Sequence, residues 1–239
     1  MESNEQIARE AFGKGRLLFK PKEQQLIAEP QYGIHPLEID AERDGLFYIP
    51  RTYQHTRPVP LAVMLHGAGG NAEQALQLLQ PYSELHNMIL IAPVSRENTW
   101  DIISNEHFGR DVFYINEALH KLFESYAIDI HHCAIGGFSD GASYALSLGL
   151  LNGDLFTHII AFSPGFYYAP HPTGKPNIFI SHGTQDNVLP VESCSRRIVS
   201  RLEADGYEFI YNEFTGMHTV PEEVSSDAVS WFCDKKTKG

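Results

Sequence analysis

The chain has 239 residues, of which 43% are hydrophobic and 20% are charged, as in an ordinary globular protein. A chain of this length can bury a large core without disulfides or metals, which excludes a disordered chain, a fibre and a cysteine scaffold. The 18 basic and 30 acidic residues give a formal net charge of −12. Because nucleic acids and anionic membranes both attract basic surfaces, this charge argues against binding to either of them.

Nothing in the sequence divides the chain or directs it to a membrane. It contains no repeat or linker, and α/β domains often reach about 250 residues, so we expect a single domain over residues 1–239. The first six residues are polar and acidic, unlike a signal peptide, and no apolar run approaches the roughly 18 residues of a membrane span. The three cysteines are widely spaced and fit reduced thiols. We therefore expect a cytoplasmic protein without stable membrane insertion.

Residues 1–44 have no clear periodicity and carry several prolines and glycines, which favours a surface extension with short strands. From residue 45 onward, apolar runs of strand length alternate with helical patterns. The predicted strands cover residues 45–50, 61–65, 88–92, 132–136, 157–162, 177–180 and 207–211. The predicted helices cover residues 72–85 (with Pro81 ending or kinking the helix), 111–126, 141–151, 190–204 and 221–233.

This alternation predicts an α/β fold with a mostly parallel central sheet and helices on both faces. The segment 163–175 is short and rich in proline, so we expect no large lid domain. Ligands of such sheets bind beyond the carboxyl ends of the strands. The residues that follow each predicted strand are therefore the candidates for a functional site.

The strand at 132–136 is followed by Gly137-Phe138-Ser139-Asp140-Gly141 and then by a helix. This segment matches the G-x-S-x-G pattern of a nucleophilic serine on a sharp strand-to-helix turn. Glycine two residues before and after the serine removes side chains that would clash in so tight a turn. The alternative is a serine that merely caps the helix.

A nucleophilic serine needs a base, and the base needs a carboxylate that orients it. In this architecture the chain order is serine, then Asp or Glu, then histidine. Asp186 follows the strand at 177–180 and His218 follows the last strand. Taken singly, Asp186 could turn a loop and His218 could be a solvated loop residue. In this order and at strand ends, they predict a catalytic triad with Ser139.

Attack on a carbonyl places negative charge on its oxygen, which backbone N–H groups must stabilise. We assign one of these donors to the amide of Asp140 and the other to the amide of Ala68, in the small-residue loop His66-Gly67-Ala68-Gly69-Gly70. The alternative is a phosphate-binding loop, but G-x-G-x-x-G and the Lys-Ser/Thr of a P-loop are both missing.

Together these segments resemble the α/β-hydrolase family over roughly residues 45–235 and, within it, the small bacterial phospholipase/carboxylesterase group. The resemblance rests on residues 65–70, on the elbow at 137–141, on His182-Gly183-Thr184-Gln185-Asp186 and on Gly216-Met217-His218-Thr219. It implies the α/β-hydrolase fold and a cofactor-free serine esterase. Acyl-protein thioesterases of this group usually carry Gln and two glycines where this chain has Asp140-Gly141-Ala142. A looser similarity extends to feruloyl esterases and polyhydroxyalkanoate depolymerases.

The sequence therefore predicts a serine carboxylesterase that acts through an acyl-enzyme, without a cofactor or a metal site. Its expected partner is a small-molecule or lipid ester, and a homodimer is left open. We expect Gly67, Trp100, Phe166 and Tyr167 to line the substrate groove, although the aromatic residues also fit ordinary packing. We interpret His182 as stabilising the Asp186 loop. The alternatives are a thioesterase or lysophospholipase with the same triad, and a non-catalytic binding protein of this fold.

Overall fold

The computed structural model describes residues 4–21 and 29–234. Within these residues, eight strands form one sheet. In chain order they are β1 (Gly33–Pro36), β2 (Leu46–Ile49), β3 (Val59–Leu65), β4 (Ile89–Ala92), β5 (Ile128–Phe138), β6 (His158–Phe162), β7 (Asn177–Gly183) and β8 (Phe209–Phe214).

The helices of the described residues are α1 (Asn4–Gly13), α2 (Ala72–Gln77), α3 (Gln80–His86), α4 (Asp101–Ser104), α5 (Arg110–Ser125), α6 (Asp140–Leu151), α7 (Ser195–Ala204) and α8 (Glu222–Cys233). No helix of the described residues is both long enough and apolar enough to cross a membrane.

The strand order across the sheet is β1-β2-β4-β3-β5-β6-β7-β8. β2 runs antiparallel to both β1 and β4, and every pairing from β4 to β8 is parallel. The predicted α/β class with a mostly parallel sheet is thus confirmed, and no large lid domain is present among the described residues. Because all parallel strands point the same way, their following loops meet at one edge of the sheet.

The two faces of the sheet are covered by separate sets of helices. Along β3, Leu61, Val63 and Leu65 join a core that includes side chains of α5, α6 and α7, whereas Ala62 and Met64 join a second core with α2 and α8. Side chains alternate between the faces of a strand, so a strand buried on both faces needs apolar residues throughout. This explains the uninterrupted apolar runs in the sequence.

Some predicted boundaries are wrong, for identifiable reasons. The helix predicted over 72–85 is two helices, and Pro81 lies in the first turn of α3, where its missing N–H costs nothing. The helix predicted from Pro190 begins only at Ser195, because residues 190–194 form turns in which the amides of Ser193 and Cys194 donate to the Pro190 carbonyl.

The extension expected over residues 1–44 contains β1, together with a helix, α1, that the sequence did not predict. Parts of it, residues 1–3 and 22–28, lie outside the described residues. The short helix α4 was also not predicted, since four residues are too few to show a helical period.

Candidate active site

Ser139 stands on the turn between β5 and α6 at the carboxyl edge of the sheet. Its backbone has φ 57° and ψ −121°, a conformation that non-glycine residues rarely adopt and that is often found at functional sites. The Ser139 amide donates to the Phe162 carbonyl at 2.9 Å, which fixes the turn to the end of β6. The side chain is largely buried, with the residue 9% exposed.

The two glycines that flank Ser139 permit this turn because α6 approaches the end of β3 very closely. A Cβ atom at Gly137 would lie 2.6 Å from the Leu65 carbonyl oxygen, and one at Gly141 would lie 2.5 Å from the His66 carbonyl oxygen. Real Cβ atoms almost never come this close to backbone atoms. The pattern of glycines in the sequence therefore reflects backbone contact between β3 and the elbow.

The loops after β5, β7 and β8 bring the three residues of the predicted triad together. His218 Nε2 lies 2.9 Å from Ser139 Oγ, and His218 Nδ1 lies 2.6 Å from Asp186 Oδ2. The carboxylate can only accept at Nδ1, so Nδ1 carries the proton and Nε2 is free to accept from the serine hydroxyl. The three side chains thus form one continuous hydrogen-bonded chain.

Asp186 is buried and surrounded by donors. Its Oδ1 accepts from the amides of Val188 at 2.9 Å and Leu189 at 2.8 Å. Burial raises the pKa of Asp186, but the hydrogen bonds from the Leu189 amide, the His218 ring and the Val188 amide outweigh it, so the net pKa lies below the ordinary value. The carboxylate therefore remains charged.

A second histidine, His182, lies next to Asp186 and contacts the loop that carries it. Its Nε2 lies 2.7 Å from the Leu189 carbonyl and 3.2 Å from Asp186 Oδ2, and its Nδ1 lies 2.6 Å from Ser195 Oγ. The carbonyl can only accept, so Nε2 carries the proton and Nδ1 accepts from Ser195. Burial lowers the pKa of His182, which favours this neutral form. These contacts agree with the interpretation of His182 as stabilising the loop.

The loop after β3 lies beside the nucleophile. A Cβ atom at Gly67 would be 3.4 Å from Ser139 Cβ, so this residue borders the reacting centre. The Gly69 amide is occupied, because it donates to the Asn98 carbonyl at 2.7 Å. Among the described residues, the amides of Ala68 and Asp140 have no hydrogen-bond acceptor, which leaves both available to a substrate oxygen.

The predicted groove residues divide into two groups. Phe166 is 39% exposed, so a ligand could reach it. Trp100 is fully buried, and its indole donates to the His66 carbonyl at 2.9 Å. Tyr167 is buried as well, with its ring under the Arg201 guanidinium at 4.4 Å. The expectation that Trp100 and Tyr167 contact substrate is therefore wrong, since both side chains are taken up by internal packing.

Sequence reasoning missed two apolar residues that stand exposed beside the site. Val188 is 62% exposed two residues after Asp186, and Met217 is 48% exposed directly before His218. The available signal was an apolar residue in a loop next to a predicted catalytic residue.

For metals, no group of three or more His, Cys, Asp or Glu side chains is placed to hold an ion within the described ranges.

A family model described as phospholipase/carboxylesterase matches residues 104–226, which is just over half of the chain. No curated protein matches significantly. The matched segment contains Ser139, Asp186 and His218 but not the loop after β3.

Many solved structures resemble the fold. Esterase PE8 is 22% identical, with a TM-score of 0.63, over 78% of this chain and 96% of its own. The S-formylglutathione hydrolase FrmB of Staphylococcus aureus is 15% identical, with a TM-score of 0.65, over 87% of this chain and 100% of its own. A ferulic acid esterase of Anaeromyces mucronatus is 19% identical, with a TM-score of 0.61, over 86% of this chain and 90% of its own. At these identities the likeness concerns the fold.

Proposed function

The chain belongs to the phospholipase/carboxylesterase family of ester-hydrolysing enzymes, and we propose that it cleaves carboxylic esters through an acyl-enzyme formed on Ser139. In this proposal His218 is the general base and acid, Asp186 orients it, and the amides of Ala68 and Asp140 form the oxyanion hole.

The observation that carries the proposal is the continuous chain of hydrogen bonds from Ser139 through His218 to Asp186. A serine hydroxyl is a weak nucleophile on its own, and a neutral imidazole within hydrogen-bond distance can take its proton as the oxygen attacks. The charged Asp186 then stabilises the imidazolium that results. The amides of Ala68 and Asp140, which have no hydrogen-bond acceptor among the described residues, are our candidates to stabilise the negative charge on the oxygen of the tetrahedral intermediate.

The reaction takes place in two halves. Ser139 Oγ forms a bond to the ester carbonyl carbon, and its proton moves to His218 Nε2. As the intermediate collapses, the bond to the alcohol oxygen breaks, and His218 returns the proton to that oxygen. A water molecule then attacks the acyl-enzyme with His218 again as base, releasing the carboxylic acid and restoring Ser139.

The surroundings of the site favour esters with an apolar part. Phe166, Val188 and Met217 are exposed on the loops after β6, β7 and β8, and no lid domain covers these loops in the described part of the chain. Contact between such side chains and an acyl or alkyl group removes apolar surface from water. The proposed substrates are therefore small-molecule or lipid esters.

The test is the hydrolysis of p-nitrophenyl esters from acetate to palmitate by the wild type, by Ser139→Ala and by Ser200→Ala. Ser200 is an exposed serine on α7 and serves as the control for loss of a hydroxyl. We expect wild-type activity in Ser200→Ala and a loss of at least about a thousandfold in kcat for Ser139→Ala. Full activity in Ser139→Ala would contradict the proposal, and so would a wild type that is inactive on every ester.

A further inference from the structure

Three consecutive residues after β4 each contact one of the two segments that carry the proposed oxyanion amides. The Asn98 carbonyl accepts from the Gly69 amide at 2.7 Å, and the Trp100 indole donates to the His66 carbonyl at 2.9 Å. Between them, Thr99 Oγ1 donates to Asp140 Oδ2 at 2.6 Å. The outer two residues therefore hold the loop that carries Ala68, while the middle one holds the elbow.

This segment has its two ends fixed by one buried carboxylate. Asp111 Oδ1 accepts from the Arg96 amide at 2.6 Å, and Asp111 Oδ2 accepts from the Asp101 amide at 2.7 Å. The Trp100 ring stacks on Tyr144 of α6, with ring centroids 5.0 Å apart. The segment is thus held in place at both ends and by the packing of Trp100. Its contacts can therefore set the relative positions of the two proposed oxyanion amides.

The Asp140 carboxylate that Thr99 contacts lies very close to the proposed oxyanion amide of the same residue. Only the Cα and Cβ atoms separate the Asp140 carboxylate from the amide that is proposed to bind the oxyanion. Two negative charges at such short range repel each other strongly in a partly buried site. A carboxylate that could turn toward the developing oxyanion would therefore work against the amide of the same residue.

We propose that Thr99 is a positioning residue of the oxyanion hole, whose hydroxyl fastens the Asp140 carboxylate against the β4–α4 segment and away from the developing oxyanion. This inference rests on the proposed function. It assigns to Thr99 an effect on the transition state, where the negative charge exists, and little effect on the binding of an uncharged ester.

The experiment compares kcat and KM for a p-nitrophenyl ester among the wild type, Thr99→Val, Thr99→Ser, Asp140→Asn and the double variant Thr99→Val/Asp140→Asn. Thr56→Val is the control, since Thr56 is exposed in a turn remote in sequence from the site. Thermal unfolding of each variant shows that it is folded.

We expect Thr99→Val to lower kcat about tenfold with KM within about twofold, and Thr99→Ser to retain most of the activity because it keeps the donor. Asp140→Asn can still accept from Thr99 and carries no charge, so it is the reference for the double variant. Adding Thr99→Val to Asp140→Asn should change kcat by no more than about threefold, because the charge that Thr99 restrains is gone.

Two results would overturn the inference: wild-type kcat in Thr99→Val, or a loss from Thr99→Val that is as large in the Asp140→Asn background as in the wild type. The second result would indicate damage to the loop rather than a free carboxylate. Both are distinct from failure of the proposed function. That failure would appear as an inactive wild type or an active Ser139→Ala, whatever the result at Thr99.

Discussion

The charge of Asp186 depends on the hydrogen-bond donors that surround its carboxylate. Three N–H groups donate to its carboxylate, from the amides of Val188 and Leu189 and from the His218 ring. The Nε2 atom of His182 also lies 3.2 Å from Asp186 Oδ2. Burial of a carboxylate without such donors would favour its protonated form. The net lowering of the Asp186 pKa means that the donors prevail, and the residue can stabilise a charged His218.

Asp186→Asn should therefore lower kcat by roughly 10³–10⁴-fold while KM changes little, because an amide cannot balance the imidazolium and favours the wrong tautomer of His218. Steady-state kinetics on a p-nitrophenyl ester measure the effect. Asp227→Asn, at an exposed position on α8, is the matched control and should behave as the wild type. A loss of less than tenfold in Asp186→Asn would argue against this role.

The turn at residues 137–141 (the elbow) determines how closely α6 can pack against β3. From Gly141 to Leu151 every residue of α6 is buried, so the helix lies fixed against the sheet and cannot shift to make room for an added atom. The backbone of β3 already touches its first turn. Glycine at 137 and 141 is thus a condition for packing α6 against β3, in addition to its part in exposing Ser139.

We expect Gly141→Ala to destabilise the fold by at least about 1–3 kcal/mol, the usual cost of inserting a methyl group into a filled core. The free energy of unfolding in urea, or the soluble yield where folding fails, measures this cost. Gly13→Ala is the control, because Gly13 ends α1 and a Cβ atom there meets nothing within 4 Å. Equal stability of the two variants would contradict the steric explanation.

The sequence predicted a site residue correctly where its position along the chain also fixes its place in the fold. Ser139, Asp186 and His218 could be recognised because each follows an apolar run of strand length and because the topology constrains their order along the chain. Trp100 could not be assigned correctly, because an aromatic residue after a strand looks the same whether its ring faces substrate or packs inward. The start of α7 was missed because Pro190 suits both a first helical turn and the loop that it forms.

A pair of stacked histidine rings joins the central sheet to the last helix. The His158 ring, on β6, stacks on His132 of β5 with centroids 5.6 Å apart and packs edge-on against Trp231 and Phe232 of α8. Burial, reinforced by the nearby His132, lowers the pKa of His158 to about 4. The folded protein therefore holds this ring neutral, whereas in the unfolded chain its pKa is near 6.5.

Between about pH 6.5 and 4 the unfolded chain binds the proton that folded His158 rejects, so the contribution of His158 to stability falls as pH falls through this range. The full effect is on the order of 3 kcal/mol. Asp111, whose pKa burial and Asp101 raise to about 7, changes stability in the opposite sense. The useful quantity is therefore the difference between the wild type and a variant, in which the contribution of Asp111 cancels.

We expect the free energy of unfolding of the wild type to decrease relative to that of His158→Phe as pH is lowered from 7 to 4.5. Urea unfolding at several pH values measures the difference. His171→Gln, at an exposed position, provides the control for the loss of a histidine side chain. A difference that is constant across this pH range would show that His158 is not held neutral by folding.

Covalent trapping tests the proposal that Ser139 is the nucleophile of an ester hydrolase. The protein would be treated with a fluorophosphonate, which leaves a serine hydrolase with a stable analogue of the tetrahedral intermediate, and the adduct located by peptide mass spectrometry. We predict one adduct per chain, on Ser139, that is absent in Ser139→Ala and forms much more slowly in His218→Ala. Labelling of a different residue, or an esterase that retains full activity after treatment without any adduct, would contradict the assignment of Ser139 as the nucleophile.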